Sequence, residues 1–415
     1  MHIVIVGNGI AGVTAARFVR KRSDHRITII SGESDFHYAR TALMYIYMGD
    51  LRYEDTKPYA DDFWRKNRIE LIREHAVRAD TEARVLHLAS GEHVPYDRLL
   101  LATGSRPNRF GWPGEHAPGV QGLYGLEDLA RMEAATKDCR SAVVVGGGLI
   151  GVEMAEMLCS RGIEVDFVVR EAHYMDYLLG DAEAALVEAA IRTHGVRLHL
   201  GVEIEEILTD PASGQARGVR LKDSRELEAG FVGLAVGVGP RIDLAEASQI
   251  DTDRGILVDR AFRTSAEGVF AVGDCAQFRD PPPGRKPIEQ LWYTGRSHGR
   301  QVASGLLGDP QDYEPPLFFN SAKFFDLEYQ TYGTIGPAPA AGDDEASFSD
   351  GASSIRIAFR NRDRAVLGVN ALGVRLRHNV WSHWIRSGAR LDDVLGDFGR
   401  GLFDPEFTRT LEVAA

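Results

Sequence analysis

Short apolar runs separated by glycine turns and amphipathic stretches fill the first three quarters of the chain. The run Val4-Ile5-Val6 leads into Gly7-Asn8-Gly9-Ile10-Ala11-Gly12, a helical pattern follows, and a second apolar run covers Arg26 to Ile30. The same order recurs later. Val143-Val144-Val145 leads into Gly146-Gly147-Gly148-Leu149-Ile150-Gly151, then a helical pattern, then the run Glu164 to Val169. Apolar β-branched runs bounded by turns read as buried strands, and the stretches with 3.6-residue periodicity read as helices, so the pattern predicts βαβ twice. Leu99 to Ala102, ending at Thr103-Gly104, and Gly268 to Val272, ending at Gly273-Asp274, read as two further strands. Pro281 to Pro287 reads as a surface loop. Beyond Pro315-Pro316 the pattern changes to alternating strands (Ser354 to Phe359, Ala365 to Val369) and a helix from about Arg375 to Arg386.

Each G-x-G-x-x-G follows a predicted strand and opens a predicted helix, which is the context in which the motif binds a dinucleotide. The first glycine permits the tight turn, the second lets a pyrophosphate approach the backbone, and the third lets helix and strand pack closely. The helix then meets the anion with free N–H groups and the positive end of its dipole. Two such units predict two bound dinucleotides.

Composition narrows the picture further. At 415 residues, two or three domains are expected. A net charge of −12 and a pI near 5.6 argue against nucleic acid as a partner. No basic segment precedes a long apolar stretch, and no window is apolar enough to span a membrane, so the cytoplasm is the expected compartment. Cys139, Cys159 and Cys275 are far apart and form no CxxC, so neither a disulfide framework nor a metal site is expected.

With the two fingerprints, the Ala102-Thr103-Gly104 turn and the Gly273-Asp274 motif in this order, the chain resembles the glutathione-reductase-like superfamily of pyridine nucleotide flavin oxidoreductases over essentially its whole length. The resemblance implies an α/β fold with two Rossmann-like dinucleotide-binding domains, the NAD(P) domain inserted in the FAD domain, plus a small α+β C-terminal domain. The implied boundaries are 1–117 and 243–315 for FAD, 118–242 for NAD(P), and 316–415 for an interface domain through which a homo-oligomer could form. It further implies that Gly7, Gly9, Ile10, Ala11 and Gly12 cradle the FAD pyrophosphate, and that Gly273 and Asp274 close over the flavin. Thr103 and Gly104 would line the junction near it, and Gln290, Leu291 and Trp292 would approach its pyrimidine end. Gly146, Gly148, Leu149, Ile150 and Gly151 would cradle the NAD(P) pyrophosphate. Glu33, just past the second strand, is the expected ribose acid of FAD; a solvated loop glutamate is the alternative.

Relatives that reduce disulfides carry a redox cysteine after the FAD strand, and here Thr41 falls about where a single cysteine would be. A hydroxyl cannot cycle between thiol and sulfenate. Cys275 reads as a small packing residue. The stretch Tyr38 to Tyr45 instead resembles the ferredoxin and rubredoxin reductase branch and the flavin part of nitrite reductases, where Arg40 has a counterpart; Tyr45 stands where those have a lysine. Glu153 matches a glutamate that faces the nicotinamide in relatives, so Glu153, Arg40 and Tyr45 are the expected catalytic residues. A helix-N-terminal carboxylate is the alternative for Glu153.

The implied function is passage of electrons from NADH or NADPH through FAD to a small redox protein such as a ferredoxin or rubredoxin. An NAD(P)H oxidase or quinone reductase, and a nucleotide-dependent redox-sensing scaffold, are the alternatives. The short, mixed-charge segment Leu402 to Ala415 argues against a membrane-binding helix. Arg170, directly after the second strand of the NAD(P) unit, favours NADPH, its neighbour Glu171 opposes it, and the nucleotide stays open. Arg375, Arg377, His378, Arg386 and Arg390 around Trp381 and Trp384 offer a docking face for an acidic partner. Helical spacing gives the opposing expectation that the tryptophans pack inward.

Overall fold

The computed structural model describes residues 1–406, and the chain divides into two compact units. One comprises residues 1–108, 124–133 and 238–316. Its core is a parallel five-stranded sheet, in spatial order Val269–Ala271, Arg98–Leu101, His2–Val6, Arg26–Ile30, Ile69–Ile72. Ile3, Val4, Ile5, Leu99, Leu100 and Leu101 are fully buried, as expected for strands covered on both faces. The chain runs outward from His2–Val6 in one direction, then returns to its other side with Arg98–Leu101. This reversal opens a crevice at the carboxyl ends of the two strands, the place where ligands bind in open α/β sheets.

The other unit comprises residues 109–123, 134–237 and 317–415, of which those up to 406 are described. It repeats the arrangement with Arg197–Leu200, Glu164–Val169, Ser141–Val145, Phe231–Leu234 and Val120–Gln121, all parallel. It also holds an antiparallel sheet ordered Phe319–Phe324, Leu327–Gly333, Val366–Leu372, Ser354–Arg360, Asp343–Ser349. The helix His378–Ser387 packs on that sheet through Trp381 and Trp384, both buried. The periodicity of the tryptophans is therefore that of core residues, and the arginines around them face solvent.

That helix starts three residues later than its pattern predicts. The Arg377 N–H donates to the Gly401 carbonyl, and Leu376 bridges to Leu402, which holds the chain extended up to Arg377. An ion pair buried within the same unit ties the Asp181–Thr193 helix to the antiparallel sheet: Arg356 Nη2 lies 2.8 Å from Glu183 Oε2. Among the described residues, no helix is long and apolar enough to cross a membrane, and no cluster of three or more acidic, histidine or cysteine side chains is placed to hold a metal. Residues 407–415 of the terminal segment lie outside the described residues.

Candidate dinucleotide sites

Both fingerprints build the same geometry from the same three glycines. Gly7 has φ +112, and a Cβ on it would lie 2.1 Å from the Ala102 carbonyl oxygen. Gly146 has φ +113, and its Cβ would lie 2.4 Å from the Ala235 carbonyl oxygen. The third glycines, Gly12 and Gly151, would each place a Cβ 2.1 Å from the carbonyl oxygen of the first. The middle glycines differ: a Cβ on Gly9 or Gly148 meets nothing within 4 Å. These two positions border open space, whereas the others are wedged against backbone. Gly9 and Gly148 are also the N-caps of the helices Ile10–Arg20 and Leu149–Ser160, and neither helix start has a side-chain cap. First-turn N–H groups of such a helix lack intrahelical partners. Two uncapped helix starts, each beside a glycine that leaves room for an anion, fit two dinucleotide pyrophosphates.

A second helix reinforces the first cradle. In the helix Trp292–Leu306, a Cβ on Gly299 would lie 2.2 Å from the Ala11 carbonyl oxygen, and one on Gly295 would lie 3.3 Å from Ile10. The two helices therefore cross at backbone distance beside the fingerprint. Leu291 is the N-cap of the second helix, and Trp292, half-buried, lies under the Arg296 guanidinium and meets the Tyr293 ring edge-on.

Asp274 lies in a 3-10 turn after Gly273, whose φ is +74. Its carboxylate accepts hydrogen bonds from the Tyr124 and Ser105 hydroxyls, both at 3.3 Å, and Gln290 Nε2 donates to Ser105 Oγ at 2.7 Å. Burial raises the Asp274 pKa, and the two hydroxyls and Arg40 only partly offset it. Asp274 caps no following helix. The Gly273 N–H donates to Nδ1 of the buried His298 at 3.3 Å, which requires a ring nitrogen free of its proton. Thr103 Oγ1 donates to the Arg241 carbonyl, and Gly104, at φ +72, lies against the Tyr124 hydroxyl.

Glu33 and Arg40 come together. Arg40 donates to both Glu33 oxygens, at 2.9 and 2.6 Å, and to the Tyr124 carbonyl, while its guanidinium lies 4.4 Å over the Tyr124 ring. Glu33 also accepts from the Tyr38 hydroxyl and the Leu126 N–H. Burial alone would raise the Glu33 pKa, but Arg40 and Tyr38 outweigh it and hold the carboxyl below its usual range. Tyr45 is half-buried on the short helix Leu43–Met48, and Thr41 is exposed just before it.

In the second unit, Glu153 lies beyond the first turn of the Leu149–Ser160 helix, which carries no acid. The helix dipole therefore does not account for it. Burial, and secondarily the charge of Glu156, raises the Glu153 pKa to about 7. Arg170 Nε donates to Glu171 at 2.6 Å. The thiols are ordinary: burial raises Cys159 to about 11, and Cys275 Sγ–H donates to the Val272 carbonyl at 3.3 Å.

Comparison with known proteins decides the affiliation. The pyridine nucleotide-disulphide oxidoreductase family model matches residues 1–299. The chain belongs to this family. The family uses FAD and NAD(P)H, and its members are oxidoreductases. Within it, the chain is 31% identical over 384 residues to the probable ferredoxin reductase CtmF of Castellaniella defragrans, covering 90% of this chain and 91% of that one. It is 33% identical over 281 residues to the nitrite reductase [NAD(P)H] of Bacillus subtilis, covering 67% of this chain but only 34% of that protein. In structure it matches a ferredoxin reductase of the CYP199A2 system from Rhodopseudomonas palustris, with TM-score 0.81 and 27% identity, over 98% of this chain and 96% of that one.

Tyr124, Ser105, His37 and His298 escaped the sequence reading. Ser105 directly follows Thr103-Gly104 and was the one with a local signal. His37 Nδ1 donates to the Asn8 carbonyl inside the fingerprint loop at 2.8 Å. Nothing in the linear pattern marks Tyr124 or His298.

Proposed function

We propose that this chain passes electrons from NADH or NADPH through FAD to a small iron–sulfur carrier, with no thiol of its own in the path. FAD, when bound, supplies the step between a two-electron donor and a one-electron acceptor. The observation that carries the reading is the absence of a usable cysteine beside the first cradle. That unit contains one cysteine, Cys275, which is buried, with its thiol proton on a backbone carbonyl. The neighbouring position with redox cysteines in relatives holds Thr41.

In this reading Gly7, Gly9, Ile10, Ala11 and Gly12 hold the FAD pyrophosphate against the uncapped helix start. Asp274, set by Tyr124 and Ser105, faces the same crevice with Gly273, Thr103 and Gly104. Gln290, Leu291 and Trp292 shape the flavin end. Each oxygen of a carboxylate accepts about two hydrogen bonds. Glu33 receives four, three of them on Oε1 and one, from Arg40, on Oε2, so in this reading it positions Arg40 and keeps acceptor capacity on Oε2 for the ribose. Gly146, Gly148, Leu149, Ile150 and Gly151 hold the nicotinamide dinucleotide, with Arg170 near its adenosine end. Glu153, titrating near neutrality, orients the nicotinamide amide. Tyr45 replaces an ammonium with a neutral phenol, which withdraws positive charge from the flavin's surroundings.

The domain assignment follows the same reading: residues 1–117 and 243–315 serve FAD, 118–242 serve NAD(P), and 316–415 form an interface domain. An acidic carrier would meet Arg377 and Arg386, which have no acid within ion-pair distance among the described residues; Arg375 and Arg390 are paired with Glu328 and Asp392. The test compares initial rates of NAD(P)H oxidation with a [2Fe–2S] ferredoxin and with coenzyme A disulfide or glutathione disulfide. Ferredoxin should be reduced at least about 100-fold faster, a difference of ~2.7 kcal/mol in barrier. Disulfide reduction at equal or greater rate would overturn the reading.

A further inference from the structure

The edge of the second cradle discriminates between NADH and NADPH, although the residue types there send opposite signals. The discriminating acid of a dinucleotide fold stands about 20 residues beyond the fingerprint, close to the end of the second strand. Here that strand ends at Val169, which is fully buried. A Cβ on Gly147 would lie 2.7 Å from Val169 Cγ1, so this side chain is part of the packing beneath the fingerprint. The first side chains beyond it that reach solvent are Arg170 and Glu171.

Their exposures differ in a way that matters. The Arg170 side chain is 76% exposed and the Glu171 side chain 23%. Glu171 is fixed from behind, since its carbonyl accepts the Gly201 N–H at 2.8 Å. Arg170 is an outlying cation that already donates to Glu171 at 2.6 Å. The carboxylates of Glu203 and Asp176 add their charge around the same guanidinium. Nearby cations bring no surplus positive charge: Lys222 pairs with Glu203 at 3.0 Å, and His173 lies 3.4 Å from Glu188. A ribose 2′-phosphate carries nearly two negative charges near neutrality. It would have to displace Arg170 from Glu171 and then remain beside Glu171, Asp176 and Glu203. A 2′-hydroxyl needs only an acceptor, and Glu171 is one.

Resting on the proposed nucleotide-dependent reading, we infer that Glu171 makes this protein select NADH over NADPH, and that Arg170 serves to hold Glu171 rather than to bind a phosphate.

The test is equilibrium binding of NAD+ and NADP+ to the FAD-loaded protein by isothermal titration calorimetry, which needs no turnover. The wild type should bind NAD+ at least about tenfold more tightly than NADP+. Glu171→Gln should tighten NADP+ and weaken NAD+, narrowing the ratio to about threefold or less. Arg170→Ala, which takes away the partner of Glu171, should weaken NAD+ more than NADP+, and a loss confined to NADP+ would overturn the role given to Arg170. Thermal unfolding of both variants is followed in parallel, and unchanged midpoints confirm that they are folded. NADP+ binding as tightly as NAD+ in the wild type, or a ratio unmoved by Glu171→Gln, would overturn the inference alone. Binding of neither nucleotide to the loaded protein would overturn the nucleotide-dependent reading itself, and the inference with it.

Discussion

Gly9 and Gly12 stand in the same loop, and alanine at each separates room for a ligand from room for the backbone. At Gly9 the added methyl enters open space, so the folded protein should be unaffected, with a thermal midpoint within about 2 °C of wild type, since no packed neighbour is disturbed. Flavin occupancy of purified Gly9→Ala, read from the visible absorbance per protein, should nonetheless fall severalfold. At Gly12 the methyl would overlap the Gly7 carbonyl, and the protein should lose about 1–3 kcal/mol of stability together with its flavin. Equal behaviour of the two variants would mean that the open space at Gly9 is not where the anion lies. Single residues also mark where sequence reasoning stopped. Glu33 was assigned from its distance beyond a strand, but its partner Arg40 can be known only once the chain has turned back on itself. The same holds for Asp274, which was legible from its Gly-Asp motif, whereas Tyr124 and Ser105, which donate to it, are brought there by folding.

At the level of elements, the two strand–turn–helix units were legible because a buried parallel strand is apolar along its length and the fingerprint glycines have no other role. The first two strands of each unit lie as read from the apolar runs, within a residue or two at their ends. The backbone-distance crossing of the Ile10–Arg20 and Trp292–Leu306 helices was not read from the sequence: Gly295 and Gly299 stand four residues apart on one helix face, but the pattern does not say which helix meets that face. It yields a prediction of its own. Gly299→Ala would press on the Ala11 carbonyl, cost about 1–3 kcal/mol in urea unfolding, and loosen flavin retention. Gly396→Ala, at an exposed position where a Cβ meets nothing and φ is not positive, provides the control and should change stability by less than about 1 kcal/mol. A Gly299→Ala protein as stable and as yellow as wild type would show that the crossing does not support the cradle. The His378–Ser387 helix illustrates the opposite limit. Its apolar face was correctly read as core, but its start was misplaced because the bonds that keep Leu376 and Arg377 extended come from Gly401 and Leu402, far along the chain.

For the whole molecule, burial of two histidines makes stability depend on pH. Burial lowers the pKa of His37 to about 4 and that of His298 to about 3. In the unfolded chain both rings take up protons below about 6.5, while in the folded protein they remain neutral until far lower pH. Their contribution is therefore fully present above about pH 6.5 and is lost as pH falls from there toward 4. Each can contribute a slope of up to ~1.4 kcal/mol per pH unit across that window. Glu153, whose folded pKa is about 7, works in the opposite direction between pH 5 and 6.5 and offsets one histidine, so urea midpoints in that window should fall toward low pH with about the slope of the other, and His298→Asn should flatten it. An unchanged slope in that variant would remove His298 from the account.

On the proposed route, electrons leave this protein from the flavin alone. Anaerobic titration of the FAD-loaded protein with dithionite, following the flavin's visible bands, counts the electrons that it stores. Complete bleaching at two electrons per bound FAD, with ferredoxin then restoring the bands, is the predicted result. Uptake of four electrons per FAD, which would require a dithiol–disulfide couple in series with the flavin, would contradict it.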